Sequence, residues 1–223
     1  MAAMPHSSSR FARWRWALGA GLGLLAGAAA VMVLQAPGVR GTLEAALAWI
    51  REAGPAPYFT AMALVPAPLA WFTLPAGPAF AGTLGLAGVV AAALLAVAVQ
   101  ITWCYLAARY WFRPPIERWL RARGHIIPTV GEGNAVAVIL MVRLVPGPPL
   151  PLQCCLLGLA QVPFGPYWLV SWLLTVPWVV GGVVFGRGVL GGNVVALASG
   201  VSVLAAASVA VWWWRRRMDR PVA

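Results

Sequence analysis

The residue best suited to chemistry is one arginine inside an apolar stretch. Arg143 is the only charged residue between Ala135 and Ala160, and the proline-rich run 146–151 (PGPPLP) follows it. A guanidinium at the centre of a membrane helix costs roughly 2.5–3.5 kcal/mol, so it normally faces a cavity or a partner. The spacing therefore predicts an anion site. The alternative is an arginine that snorkels or caps its own half-helix.

Proline also indicates where half-helices begin, because it suits the first turn of a helix. We expect one half-helix to start at Pro149 or Pro151 and another at Pro78, each with its positive end toward the middle of the bilayer. A guanidinium and two such helix ends would suit a phosphate. The predicted lipid-phosphate site consists of Pro75, Gly77, Arg143, Pro146, Gly147, Pro149 and Gln153.

Other chemistry is poorly supported. Cys104, Cys154 and Cys155 lie in apolar stretches without zinc-binding spacing, which predicts small packing residues. Both histidines, His6 and His125, fall outside every apolar run. No membrane segment offers a base beside a nucleophile. We therefore expect no catalytic residue, no metal, no cofactor and no enzymatic activity.

The elements that must position Arg143 follow from composition. Of 223 residues, 61% are hydrophobic and 9% charged, with a mean hydropathy of +0.82. These values predict an integral membrane protein and argue against a soluble enzyme, a disordered chain or a nucleic-acid-binding module. The 16 basic residues are all arginine and give a net charge of +11. Because they flank apolar runs, we assign them to membrane orientation and anionic headgroups rather than nucleic acid.

Apolar and basic runs divide the chain into a basic N-terminus, a surface segment, a core and a basic tail. The predicted segments are the cytoplasmic N-terminus 1–15, a transmembrane helix 16–34, an amphipathic segment 35–57, a core 58–190 with proline-rich segments 58–82 and 135–160 and spans 84–108 and 166–185, a last helix 194–214 and a tail 215–223. A cleaved signal peptide is the alternative for 16–34. Glycines at positions 19, 23 and 27 would let another helix approach closely, which is compatible with a homodimer.

The positive-inside rule limits how many times the chain can cross the membrane. The arginines of 10–15, 109–123 and 215–220 can all be cytoplasmic only if both proline-rich segments leave on the side they entered. Residues 135–144 make about 15 Å of helix, or half of a ~30 Å hydrocarbon core. We therefore predict an all-α polytopic membrane protein with two opposed re-entrant helical hairpins in an inverted repeat. About four transmembrane helices complete it, and both termini are cytoplasmic.

The motifs resemble a known family. Arg143-Leu-Val-Pro146-Gly-Pro-Pro149, then Gly158-Leu159-Ala160, Phe164 and Ser171 to Pro177, are similar to the second half of the DedA-like family, also called VTT-domain or SNARE-associated Golgi proteins. Leu74-Pro75-Ala-Gly77, Gly82, Gly85 and Tyr105-x-x-x-Arg109 resemble its first half. The resemblance implies opposed re-entrant hairpins and movement of phosphate-bearing lipids: undecaprenyl phosphate in bacterial members, phospholipids in eukaryotic relatives.

Two functions are carried forward. The first is a flippase or scramblase in the bacterial inner membrane, acting on a phosphate-bearing lipid as its partner. Many members of the family carry an acid after the first-hairpin proline, and Pro75-Ala76-Gly77 has none, which favours downhill movement over proton coupling. The alternative is a membrane scaffold or assembly factor without transport activity. A channel ranks third, because no charged or carbonyl-rich filter motif is present.

Overall fold

The structure, a computed structural model, describes residues 37–125, 129–144, 148–191 and 194–218. The predicted N-terminus 1–15 and first membrane helix 16–34 lie outside these residues. All regular structure in the described ranges is helical, without a strand, which confirms the predicted all-α class. Residue contacts divide the chain into two units, 1–46 and 47–223, and the second unit holds the hydrophobic core.

Eight α-helices, one π-helix and one 3-10 turn make up the described part of the chain. They are α1 (Pro37–Ala53), α2 (Pro55–Leu64), α3 (Leu69–Leu106), the π-helix (Ala107–Phe112), α4 (Arg113–Arg121), the 3-10 turn (Glu132–Asn134), α5 (Ala135–Leu144), α6 (Leu150–Leu159), α7 (Phe164–Gly191) and α8 (Val194–Met218). Helix α5 coincides with the half-helix that the sequence predicts before the proline run.

Two described helical stretches, Leu69–Arg121 and Phe164–Val189, are long and apolar enough to cross a membrane. They also carry large apolar side chains on the outside, because Leu95, Leu169 and Leu173 are each more than half exposed. Exposed apolar surface of this kind marks contact with a membrane or another protein. The predicted spans 84–108 and 166–185 fall within these two stretches.

Helices α2 and α3 are separated at residues 65–68, the first break. Pro68 is the N-cap of α3, whereas Pro75 and Pro78 lie inside the helix. The expectation that Pro78 starts a half-helix is therefore wrong. Pro78 has no N–H for the carbonyl of Leu74 four residues earlier, and that carbonyl faces the backbone of Gly186 in α7, where a Cβ would collide with it. The helix continues through Pro78, with the Leu74 carbonyl packed against Gly186.

Helix α3 is itself divided by a kink at Gly85, whose φ of 68° and ψ of 162° are outside the helical region. Only glycine adopts such a conformation without strain. The helix thus consists of α3a, residues 69–84, and α3b, residues 86–106. The hydrophobic core lies mainly between α3b, α6 and α7, where Val97, Ile101 and Val179 are fully buried.

Helix α7 packs against both α3 and α8 through glycines on different faces. A Cβ at Gly182 would lie 2.5 Å from the Thr73 hydroxyl in α3a. On another face, a Cβ at Gly181 would lie 2.6 Å from Leu204 in α8. Small residues let apolar helices approach closely where packing rather than water drives association. These contacts place α7 at the centre of the second unit.

Candidate functional site

The guanidinium of Arg143 lies where α5, α6 and α7 meet. It is half-buried and its three nitrogens each have a neutral partner: Nε donates to Ser171 Oγ at 3.2 Å, Nη1 to Gln153 Oε1 at 3.3 Å and Nη2 to Cys154 Sγ at 3.3 Å. Ser171 is fully buried in α7, and Gln153 and Cys154 are buried in α6. We call Arg143, Gln153, Cys154, Tyr167 and Ser171 the arginine cradle.

Proline positions Gln153 in this cradle. Pro149 is the N-cap of α6 with an extended ψ of 153°, and a further proline stands in the first turn of the helix. The Gln153 amide nitrogen, Nε2, donates to the Pro148 carbonyl at 3.1 Å, while Oε1 accepts from Arg143. The two bonds fix which way the amide points, because the reversed amide would place its oxygen against a carbonyl oxygen. Gln153 therefore ties Arg143 to the chain between α5 and α6.

Tyr167 forms the aromatic wall of the cradle. Its ring centroid lies 5.9 Å from Arg143 Cζ, within the range of a cation–π contact. Its hydroxyl donates to the Ile101 carbonyl of α3b at 2.7 Å. The ring also stacks on Tyr105, with centroids 4.3 Å apart. Both tyrosines are fully buried, so they fix the guanidinium against a rigid surface.

The charge of Arg143 has no acidic partner among the described residues. The ion pairs in this part of the chain join Glu117 to Arg113 at 3.4 Å and to Arg121 at 2.6 Å. Arg143 instead contacts a hydroxyl, an amide oxygen, a thiol and a ring. A partly buried cation without a counter-ion is costly and gains strongly from an anion with the right geometry. The cradle therefore holds a guanidinium whose charge no described acid compensates.

The predicted site residues fall into three groups. Arg143, Pro149 and Gln153 come together at the cradle and at the start of α6. Pro146 and Gly147 lie outside the described residues. Pro75 and Gly77 are in α3a and are not brought to the cradle.

The position of Gly77 shows this separation. A Cβ there would collide with the carbonyl oxygen of Val183 in α7. Val183 is twelve residues after Ser171 on that helix, or about 18 Å along its axis. The proposed anion site therefore lies between the end of α5 at Leu144 and the start of α6 at Leu150, which we call the second break, rather than at both proline-rich segments.

Sequence reasoning missed three cradle residues. Cys154 was predicted to be a small packing residue, but its sulfur also accepts a hydrogen bond from Arg143. Tyr167 and Ser171 were not predicted in the site at all. Their spacing of four places both hydroxyl-bearing side chains on one face of an apolar helix, and that signal was available in the sequence. What the sequence does not show is that this face meets α5.

The described residues contain no group of three or more His, Cys, Asp or Glu side chains that could hold a metal ion. Comparisons of the chain with protein-family models, curated proteins and solved structures give no match.

Proposed function

We propose that the chain is an integral membrane protein that moves a phosphate-bearing lipid across the bilayer, with Arg143 binding the lipid phosphate. The observation that carries this proposal is the set of neutral contacts around Arg143. They hold the guanidinium in place without cancelling its charge. A lipid phosphate would supply the missing counter-ion and can accept two parallel N–H bonds from one guanidinium.

Helix lengths support a position for Arg143 near mid-depth. Arg143 is the ninth of the ten residues of α5, which is about 15 Å long and spans roughly half of a hydrocarbon core. In the proposed topology, α5 enters from the cytoplasmic side, the chain turns at the second break, and α6 returns to that side. The first break, between α2 and α3a, would be entered from the opposite face, in a multi-pass protein of the bacterial inner membrane with cytoplasmic termini.

The proposed transport step uses the amphipathic character of the lipid. Its phosphate would lie on Arg143 while its acyl chains remain in the bilayer, so that the headgroup avoids the hydrocarbon and the chains avoid water. The described acids form no contact with the cradle, which favours downhill movement of lipid over proton-driven pumping. Undecaprenyl phosphate and phospholipids both carry the required phosphate, in agreement with the family resemblance of the Arg143 motif.

The experiment is a headgroup-translocation assay in vesicles reconstituted with the purified chain and a labelled phosphate lipid. We expect Arg143→Ala to reduce translocation at least tenfold, which corresponds to the loss of one charge-assisted contact of about 1.4 kcal/mol. Arg143→Lys should lose most of the activity too, because an ammonium cannot form the bidentate contact. Arg187→Ala, which removes an exposed arginine of α7, is the matched control and should transport normally.

Unchanged translocation by both Arg143 variants would remove the proposed site. No translocation by the parent chain, together with a protein partner crosslinked in stoichiometric amounts, would favour the scaffold function instead.

A further inference from the structure

The segment between α3b and the second proline-rich segment exposes both arginines and aromatic rings. It begins with the π-helix Ala107–Phe112 and continues as α4. π-Helical turns are rare and occur often at functional positions. We call residues 110–123 the boundary surface. They contain four arginines, one glutamate and four exposed aromatic rings.

Two arginines anchor this segment to the end of α6. Arg113 is 5% exposed, and its Nη1 donates to the Leu159 carbonyl in the last turn of α6. Arg109 Nη1 donates to the Val162 carbonyl at 3.3 Å, just beyond that helix. Cations are stabilised at a helix C-terminus, where unpaired carbonyls carry partial negative charge. These contacts set the orientation of α4 relative to α6.

The only acid of the boundary surface is already paired. Glu117 accepts from Arg113 Nε at 3.4 Å and from Arg121 Nη2 at 2.6 Å. Arg118 and Arg123 are exposed and contact no described acid. The guanidinium of Arg123 lies 3.5 Å from the Trp119 ring centroid, a cation–π contact that keeps its charge. The outer side of this segment is therefore positive.

Exposed aromatic rings accompany these charges. Trp111 is 75% exposed, Tyr110 63%, Trp119 57% and Phe112 51%. Rings with an apolar body and a polar tip are enriched where hydrocarbon meets headgroups. A basic helix that also exposes aromatic side chains lies in the membrane interface with its charges toward anionic lipid.

We propose that the boundary surface, residues 110–123, binds the headgroups of anionic phospholipids in the leaflet that it faces. The two surfaces are complementary in charge: exposed guanidiniums without acidic partners meet lipid phosphates that carry net negative charge, while the rings enter the acyl boundary. Zwitterionic lipids provide the same interfacial environment for the aromatic rings, but they carry no net charge to attract the arginines. The inference rests on the proposed membrane location and is independent of transport through Arg143.

The test uses the full chain in vesicles that contain either a photoreactive phosphatidylglycerol or a photoreactive phosphatidylcholine, with labelled residues located by mass spectrometry. We expect residues 110–123 to be labelled more than about tenfold more strongly by the anionic probe, because Arg118 and Arg123 both lack an acidic partner. Arg118→Gln should lower that preference about fivefold, since each arginine near an anionic surface contributes about 1 kcal/mol. Added salt should weaken it further. Arg187→Gln removes the same charge elsewhere and should change nothing.

Equal labelling of the boundary surface by the two probes would overturn the proposal, as would an equal loss of preference in Arg187→Gln. Arg143→Ala separates the two proposals, because it should reduce transport at least tenfold and leave the labelling pattern intact. Absence of labelling at the exposed Leu95 and Leu173 by either probe would instead contradict the membrane location on which both proposals depend.

Discussion

The two breaks in the helical chain are built with opposite chemistry. At the first break, neutral side chains donate hydrogen bonds to backbone carbonyls at the end of α2. Gln100 Nε2 donates to the Val65 carbonyl at 2.6 Å and Trp103 Nε1 to the Ala63 carbonyl at 2.7 Å. At the second break, the charged donor Arg143 is held by neutral acceptors. Neutral donors satisfy the hydrogen-bonding capacity of the backbone and add no charge. A partly buried cation without a counter-ion, in contrast, would be stabilised by an anionic ligand. From this difference we propose a structural role for the first break and ligand binding for the second.

The helices that leave the two breaks are nevertheless fixed in the same way. Helix α3a packs on Gly186 of α7 through the Leu74 carbonyl. Helix α6 packs on the chain near Tyr105 through its own Gly158, where a Cβ would lie 2.6 Å from the Tyr105 carbonyl oxygen. Both contacts bring backbone against backbone. Variants of these contacts should thus change stability at either break, while variants of Arg143 should change binding at one.

The largest expected effect is on packing at the first break. Gly186→Ala places a Cβ into the Leu74 carbonyl, so we expect the free energy of unfolding to fall by about 3 kcal/mol or more. Gly165→Ala is the matched control in the same helix, because its Cβ would meet nothing within 4 Å. We expect that variant to stay within about 1 kcal/mol of the parent. Unfolding by a denaturing detergent, followed by circular dichroism, measures both; equal stability of the two variants would refute the close packing.

A smaller effect tests the neutral donor of the first break. Gln100 is 2% exposed, and Gln100→Leu removes its bond to the Val65 carbonyl. We expect a loss of about 1.5 kcal/mol, the upper range for a hydrogen bond between membrane helices. Translocation per folded molecule should stay at the parent level. A variant with parental stability but impaired translocation would reverse the roles that we assign to the two breaks.

The smallest effect concerns the second neutral donor. Trp103→Phe keeps the aromatic ring but deletes the N–H that reaches the Ala63 carbonyl, and should lower the free energy of unfolding by about 0.6 kcal/mol. Trp71→Phe changes a side chain that is 71% exposed and should have no measurable effect. Detergent unfolding of the two variants side by side makes the comparison. A larger loss for Trp71→Phe would contradict the proposed capping of the first break.

The second break was easier to predict from the sequence than the first. The run PGPPLP, which begins three residues after Arg143, permits α5 to continue no further than about residue 144, and the structure ends α5 at Leu144. The first proline-rich segment contains Pro66, Pro68, Pro75 and Pro78, and the half-helix predicted to start at Pro78 begins after Pro68 instead. Pro75 and Pro78 lie inside α3a, where the Leu74 carbonyl packs on Gly186, more than a hundred residues later. Such a long-range contact leaves no local signal.

The residues of the candidate site also differ in how far they could be predicted from the sequence. Arg143 and Gln153 are ten residues apart across one break, so the sequence predicts their proximity. Tyr167 and Ser171 join them from α7 through the packing of three helices. The predicted site also included Pro75 and Gly77, from the motif Leu74-Pro75-Ala-Gly77, but these residues lie inside α3a instead. The sequence predicted contacts between residues that are close along the chain, but it did not predict how the helices pack together.

Direct binding of a simple phosphate lipid tests the contrast between the breaks most closely. Calorimetric titration of dodecyl phosphate into the detergent-solubilised chain should give the same affinity for the parent and for Gln100→Leu. Arg143→Met, which removes the charge but keeps an unbranched apolar side chain, should bind at least about tenfold more weakly. Parental affinity in Arg143→Met, or an equal loss in Gln100→Leu, would contradict the assignment of ligand binding to the second break.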